Sequence, residues 1–391
     1  MEGADYTFII RMSRRISRIL LVKPSALGDV CRSMPALASL RAAFPEARID
    51  WFVQDDFADA VRAHPALHAV VPFPRRAWRR WWTPASMGGV LGLRRQIREA
   101  RYDLVLDLQG LLRSAIFAQA ASGARRVAWR DAREGSGWLA NERHARRGGP
   151  DATEVMLALL EDAGVSAVRD PRMHVPDDAR ASWRARKAAI GLERYVALAP
   201  TSRWSAKRWP AERWRALAER LLARGMRVVM LGAGSERDQV RACMPKEGAI
   251  DLSGELSLGA WLAAIEEADA VVANDSAATH AAVGFGRPLV AIYGATDPAA
   301  VGPFGRPECV VAPPGVAPTD VRLGQFVLSE GHEARTFSMS ILYRNGYSLS
   351  DDDEYGFETG SGSFTLGDPI PGPGALALTA IAGLLNRSRR R

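Results

Sequence analysis

From residue 16 onward the chain alternates short apolar runs with stretches whose apolar positions recur every three or four residues, the periods of buried strands and of amphipathic helices. Ile19–Val22 predicts a strand, followed by a loop and a helix over about Val30–Phe44. Ile49–Val53, Ala69–Phe73 and Leu104–Leu108 predict three further strands, with helical stretches between most of them. Thr153–Ala163 closes this half as an amphipathic helix on Val155, Leu159 and Ala163. The pattern then restarts. Tyr195–Ala199, Val228–Leu231, Ala270–Ala273 and Leu289–Tyr293 predict strands, and Ala211–Arg224, Leu258–Ala268 and a segment from about Ala277 predict helices. Such alternation implies parallel sheets covered by helices on both faces, an α/β fold. The halves meet near Pro171–Leu192. Ligands of such sheets bind beyond the carboxyl ends of the strands, so a substrate cleft between the halves is expected.

The final segment differs. From Gly315 it holds seven basic and nine acidic residues, so the net charge of +8 for all 391 residues becomes +10 without it. Ser348–Gly362 is polar, acidic and glycine-rich, with neither helical nor strand period. A proline motif at Pro369–Gly374, an apolar run Ala375–Leu385 and the arginines 387, 389, 390 and 391 follow. The expected organisation is therefore a first domain over 1–175, a second over 176–314, and a disordered tail over 315–391. Arginines 11, 14, 15 and 18 break the N-terminal apolar runs, leaving no secretory h-region. No stretch reaches the ~18 apolar residues of a membrane span. Cys31, Cys243 and Cys309 are far apart, with no metal or disulfide spacing, which suits a reducing compartment.

Positive charge admits nucleic acid, an anionic membrane surface or an anionic substrate as partner. Lysines number only four (23, 187, 207, 246) among 52 basic residues, so arginine abundance itself says little. Three strand-to-helix loops can carry chemistry. Lys23-Pro-Ser-Ala-Leu-Gly-Asp29 offers unpaired N–H groups at a helix start, and Asp29 either caps that helix or serves as a base. Thr201–Pro210, with its hydroxyls and Lys207, either holds a diphosphate or is a solvated basic loop. In Asn274-Asp-Ser-Ala-Ala-Thr-His280, Asp275 and Ser276 can cap a helix whose N–H groups face phosphate oxygens, and His280 is either a packed or a functional histidine. Gly232 and Gly234 are a weaker signal. Arg75, Arg76, Arg79 and Arg80, interleaved with Trp78, Trp81 and Trp82, suit a glycolipid surface, single-stranded nucleic acid or a partly buried loop.

Taken together, six segments in order resemble glycosyltransferase family 9, the ADP-heptose:lipopolysaccharide heptosyltransferases. They are Arg18–Val30 with Met34–Leu37, Ile49–Val53, Asp107–Ser114 with Asp131–Glu134, Thr201–Pro210, Asp275–His280 and Tyr293–Pro298. The resemblance implies a GT-B fold, two Rossmann-like domains facing a cleft, and an inverting transfer of heptose from ADP-heptose to the Kdo region of lipopolysaccharide. An alternative is another nucleotide-sugar or acceptor, or a nucleotide-binding module without transfer; nucleic acid is not an expected partner. By the resemblance Asp29 is the general base, and Lys207 and His280 act with it in catalysis. Thr201, Ser202, Lys207, Glu236, Leu256, Asp275, Ser276, Ala277 and His280 bind the donor. Ser25, Gly28, Arg113 and Arg133 bind the acceptor, an anionic lipid A–Kdo-type glycolipid. No carboxylate cluster suits an essential metal and no cofactor is implied, the ADP-sugar being a substrate. The implied place is the cytoplasm, peripheral to the inner membrane. Ala277-Ala278 stands where the family usually carries glycine, and the family pattern ends after Pro307. Beyond it the chain resembles a PEP-CTERM-type sorting segment with Pro-Gly-Pro in place of Pro-Glu-Pro.

Overall fold

The computed structural model describes residues 16–78 and 83–312, and the backbone of four short strands further on. The chain divides into two compact units between Asp170 and Pro171, except that Pro150–Ala152 group with the second unit.

In the first unit the strands are β1 (Arg18–Val22), β2 (Arg48–Gln54), β3 (Ala69–Phe73), β4 (Leu104–Asp107), β5 (Arg125–Trp129) and β6 (Glu142–His144). They lie in the order β3-β2-β1-β4-β5-β6, every neighbour parallel. Parallel strands need crossovers, and here these contain helices α1 (Leu27–Arg32), α2 (Met34–Ala43), α3 (Pro84–Glu99) and α4 (Leu112–Ala118). Helix α5 (Ala152–Asp162) follows β6. Covered on both faces, the central strands read as unbroken apolar runs: Ile19–Val22 is fully buried, as is Leu104–Leu106. On one face Phe52, Phe73 and Phe117 form a ring cluster, with centroids 5.1–5.5 Å apart, beneath Leu93 and Ile97 of α3.

The second unit repeats the plan. Its strands are β7 (Val196–Ala199), β8 (Val228–Met230), β9 (Ala249–Asp251), β10 (Ala270–Asn274), β11 (Leu289–Ile292) and β12 (Val310–Val311). They form a second parallel sheet ordered β12-β11-β10-β7-β8-β9. Helix α6 (Asp177–Ala189) leads in, and α7 (Ala211–Ala223), α8 (Arg237–Cys243), α9 (Leu258–Glu266), α10 (Ala277–Gly284) and α11 (Pro298–Val301) follow. Helix α7 buries Trp214, Leu217 and Leu221 against Leu198, Met230 and Val272. Leu217 is fully buried, so Leu217→Ala is expected to cost about 2–5 kcal/mol in urea unfolding of this unit, through lost transfer energy and the cavity left behind.

Both sheets have the doubly wound Rossmann order, in which the winding direction reverses between the first and fourth strands. The switch points are therefore β1/β4 and β7/β10, and the loops singled out in the sequence leave the carboxyl ends of β1, β7 and β10.

Three expectations need correction. The helix expected over 30–44 is two helices, α1 and α2, broken at Ser33, with Pro35 in the first turn of α2, where its missing N–H costs nothing. Strands β5, β6, β9 and β12 were not expected. In the tail, Phe326–Glu330 pairs antiparallel with Glu333–Phe337, and Gly346–Ser348 with Gly356–Glu358. The second pair enters a stretch without strand periodicity in the sequence. The sorting-segment resemblance, residues 369–391, lies outside the described residues, as does Arg79–Trp82. Among the described residues no helix is long and apolar enough to cross a membrane.

Candidate active site

In the first unit the switch-point loop is held from several sides. Lys23 is buried, and its Nζ donates to the Leu108 carbonyl at 2.9 Å, tying the end of β1 to the end of β4. The Ser25 amide donates to Gln109 Oε1 at 3.2 Å, a second tie across the same reversal. Trp51 Nε1 donates to the Lys23 carbonyl and the Gln54 amide to the Pro24 carbonyl, fixing the loop to β2. Below it, buried Asp107 accepts from the amides of Gln109 and Gly110 and from Ser114 Oγ, shaping the loop after β4.

Asp29 lies in the first turn of α1, with its side chain 36% exposed. Its Oδ2 accepts from the Ala26 amide at 3.2 Å, so the cap geometry is present. Its Oδ1 pairs with Arg32 Nη2 at 2.5 Å. Burial alone would push this carboxyl up, but Lys23, Arg32 and the hydrogen bonds from Arg32 and Ala26 together hold it below the usual carboxylate range. A group so held is ionised throughout the neutral range and can accept a proton. Burial, the larger effect on Lys23, lowers its pKa despite the opposing charges of Asp29 and Asp107.

Arg32 was not singled out in the sequence, although its i,i+3 spacing from Asp29 is a signal of pairing. Arg32→Gln removes one of the charges that depress Asp29, so the acid limb of kcat/KM is expected to move to higher pH. A pH–rate profile of the variant against wild type checks this, and an unmoved limb would take Asp29 out of the titration.

Of the predicted acceptor residues, Ser25 is buried and Gly28 half-buried in α1, while Arg113 and Arg133 are exposed. The last two come from adjoining segments. The Arg133 amide donates to the Gly110 carbonyl, and the Leu112 amide to Glu134 Oε2. Partial burial and then the charge of Arg75 lower the Arg113 pKa, opposed by Glu134.

In the second unit, Lys207 Nζ pairs with buried Asp275 Oδ2 at 2.7 Å, and Thr296 Oγ1 donates to the same oxygen at 2.6 Å. Ser202 Oγ donates to the Asp275 carbonyl at 3.2 Å. Thr201 Oγ1 donates to Glu236 Oε2 at 2.9 Å, and that oxygen also accepts the Ala233 amide. Loops after β7, β8, β10 and β11 thus converge on one carboxyl edge. Asn274 clamps the Thr201–Pro210 segment, donating to the Pro200 carbonyl and accepting the Trp209 amide. Neither Asn274 nor Thr296 was assigned a role from the sequence. Gly254 has φ +70° and sits against Gly234, where a Cβ would lie 2.6 Å from the Gly234 Cα, so the loops after β8 and β9 close up only on glycine.

The expected cap of α10 is not made. Ser276 contributes no side-chain hydrogen bond there, and the Asp275 carboxylate is engaged by Lys207 and Thr296 instead. Ala277 opens α10, buried His280 lies one turn on, and Leu256 is half-buried in the turn before α9. Trp78 of the basic-aromatic stretch packs edge-on to Phe73 at 5.8 Å and over Phe117 at 6.4 Å, so that ring is structural.

The sequence pattern of the family described as glycosyltransferase family 9 (heptosyltransferase) matches residues 90–317. The chain belongs to this family. It is a glycosyltransferase with the two Rossmann-like halves of GT-B enzymes. Among curated relatives, lipopolysaccharide heptosyltransferase 1 of Pseudomonas aeruginosa is 32% identical over 74% of this chain and 82% of its own. Among solved structures, E. coli heptosyltransferase WaaC with ADP aligns at a TM-score of 0.64 and 26% identity, covering 78% of this chain and 96% of that one. The same enzyme with ADP-2-deoxy-2-fluoro heptose aligns at 0.62 and 27% identity, over 77% and 94%.

Proposed function

We propose that this family 9 enzyme transfers heptose, with inversion, from ADP-heptose to the Kdo region of the lipopolysaccharide inner core, working at the cytoplasmic face of the inner membrane. The observation that carries the reading is the Asp29 carboxylate, kept ionised at the switch point of the first sheet. In the reaction the acceptor hydroxyl attacks the anomeric carbon as the bond to the diphosphate breaks, through an oxocarbenium-like state. Asp29 takes the hydroxyl proton. The departing diphosphate gains negative charge, which Lys207 and the positive end of α10 stabilise. Arg113 and Arg133 hold the acceptor's carboxylates or phosphates by charge-assisted hydrogen bonds. Thr201, Ser202 and Glu236 position the nucleotide. The relatives support this donor and acceptor: one bears the name lipopolysaccharide heptosyltransferase 1, and the WaaC structures hold ADP and a fluorinated ADP-heptose.

The test is incubation of the full chain with ADP-heptose and a Kdo–lipid A acceptor, read by mass spectrometry of the glycolipid. Gain of one heptose is expected. Transfer only to an acceptor already carrying heptose would assign a later step of core assembly. Transfer from a UDP- or GDP-sugar instead would replace the donor, and ADP binding without any transfer would leave a nucleotide-binding module.

A further inference from the structure

Helix α3 turns an unusual face outward. A surface helix ordinarily shows apolar residues to the core and polar residues to water. In α3 the buried side is ordinary, with Ser86, Leu93 and Ile97 packed inward. Over its first nine residues, however, the exposed positions are Pro84, Ala85, Met87, Gly88, Leu91 and Gly92, with no polar side chain among them. Met87 is 50% and Leu91 63% exposed, four residues apart and so adjacent on the helix surface. Side chains added at Gly88 or Gly92 would meet nothing within 4 Å, so among the described residues nothing covers the helix at these two positions.

The surroundings are basic. Arg95, whose Nε pairs with Glu99 at 2.7 Å, and Arg98 stand exposed on the following turns of the same helix, where Glu99 is the only acid. The turn bearing exposed Arg75 and Arg76, the latter paired with Asp56 at 2.9 Å, packs on α3 through Trp78, whose ring lies where a Cβ at Gly89 would stand, 2.6 Å from ring atoms. Arg94 donates to the Ile116 carbonyl of α4, whose first residue, Leu112, is 40% exposed. An apolar strip rimmed by arginines matches one kind of surface best. Acyl chains take the side chains of Met87 and Leu91, and anionic headgroups take the guanidinium groups.

We infer that the outward face of α3, centred on Met87 and Leu91 with Arg75, Arg76, Arg95 and Arg98 around it, is the surface by which this enzyme docks on an anionic lipid bilayer. The inference deepens the proposed function, since a membrane glycolipid acceptor gives the face its use. The docking itself needs neither donor nor acceptor.

The full chain is therefore sedimented with vesicles of phosphatidylethanolamine and phosphatidylglycerol, or of phosphatidylcholine alone, without substrates. Binding to the anionic vesicles, weak on the neutral ones and weakened by salt, is expected. Met87→Ser with Leu91→Ser should lower the partition coefficient about tenfold or more, since two apolar side chains no longer leave water. Melting temperature and ADP affinity should be unchanged. Leu91→Trp, which keeps an apolar group at the same place, should bind at least as well as wild type. Equal binding by the double serine variant overturns the proposal. So does dissociation of a dimer by those substitutions, which would give the face to a second copy of the chain. Because vesicle binding is read without sugar transfer, a wrong donor or acceptor assignment would leave this result standing.

Discussion

Asp29→Asn is expected to lower turnover by about 10²–10⁴-fold, the usual contribution of a positioned general base, while the affinity for ADP stays near the wild-type value. The substitution is nearly isosteric. An amide oxygen can still accept the Ala26 N–H, so the start of α1 should keep its form. What disappears is the negative charge that takes the acceptor proton and that faces Arg32 at 2.5 Å. The nucleotide, on the present assignment, is bound by residues of the second unit, which the change leaves intact. Calorimetry with ADP alongside transfer kinetics separates the two effects. Retained turnover would reduce Asp29 to a helix cap and partner of Arg32; loss of turnover together with loss of folding would be visible in the melting temperature.

The framework of this enzyme is legible in the sequence because parallel strands buried on both faces must be written as apolar runs. Ala69–Phe73 matches its predicted bounds, and β1, β2, β4, β7, β8, β10 and β11 fall within about two residues of theirs. Three of the four missed strands share a reason. Strands β6, β9 and β12 are sheet edges, with one neighbour each, and Glu142-Arg-His144 carries no apolar side chain. Strand β5 opens on Arg125 and Arg126, which serve as anchors, pairing with Glu142 and donating to backbone carbonyls. A pairing partner 15–20 residues distant is not a local pattern.

The site was legible in its loops and less so in its contacts. The positions of Asp29, Lys207 and Asp275 at carboxyl ends of strands follow from strand–loop–helix order alone. That Asp275 faces Lys207 and Thr296, not the start of its own helix, depends on β11 lying beside β10. Sheet order is long-range information. Spacing also left Asp29 as cap or base, and the structure makes these compatible: one oxygen accepts the amide and the other carries the ion pair.

Lys207→Ala should weaken binding of the ADP-sugar by roughly ten- to a hundredfold, the loss of one charge-assisted hydrogen bond at about 1.5–3 kcal/mol, and should lower turnover as well. A simpler role for Lys207 competes with this one. Its ammonium neutralises Asp275, only 6% exposed, and stripping a partner from a buried carboxylate destabilises a protein whether or not that partner ever meets substrate. The two roles part in the double variant. Lys207→Ala with Asp275→Asn removes both charges, leaves an amide that Thr296 can still reach, and should recover most of any lost thermal stability. If Lys207 serves the departing diphosphate, turnover in the double variant stays low although the fold is repaired, because no cation has returned. If Lys207 serves only Asp275, donor affinity and turnover return with stability to the level of Asp275→Asn alone, the reference needed because Asp275 is itself expected at the donor site. Lys207→Arg adds a third point, since it restores the charge with a planar fork in place of a compact ammonium. Partial recovery there, set against none in the double variant, would identify the charge itself as what the donor requires.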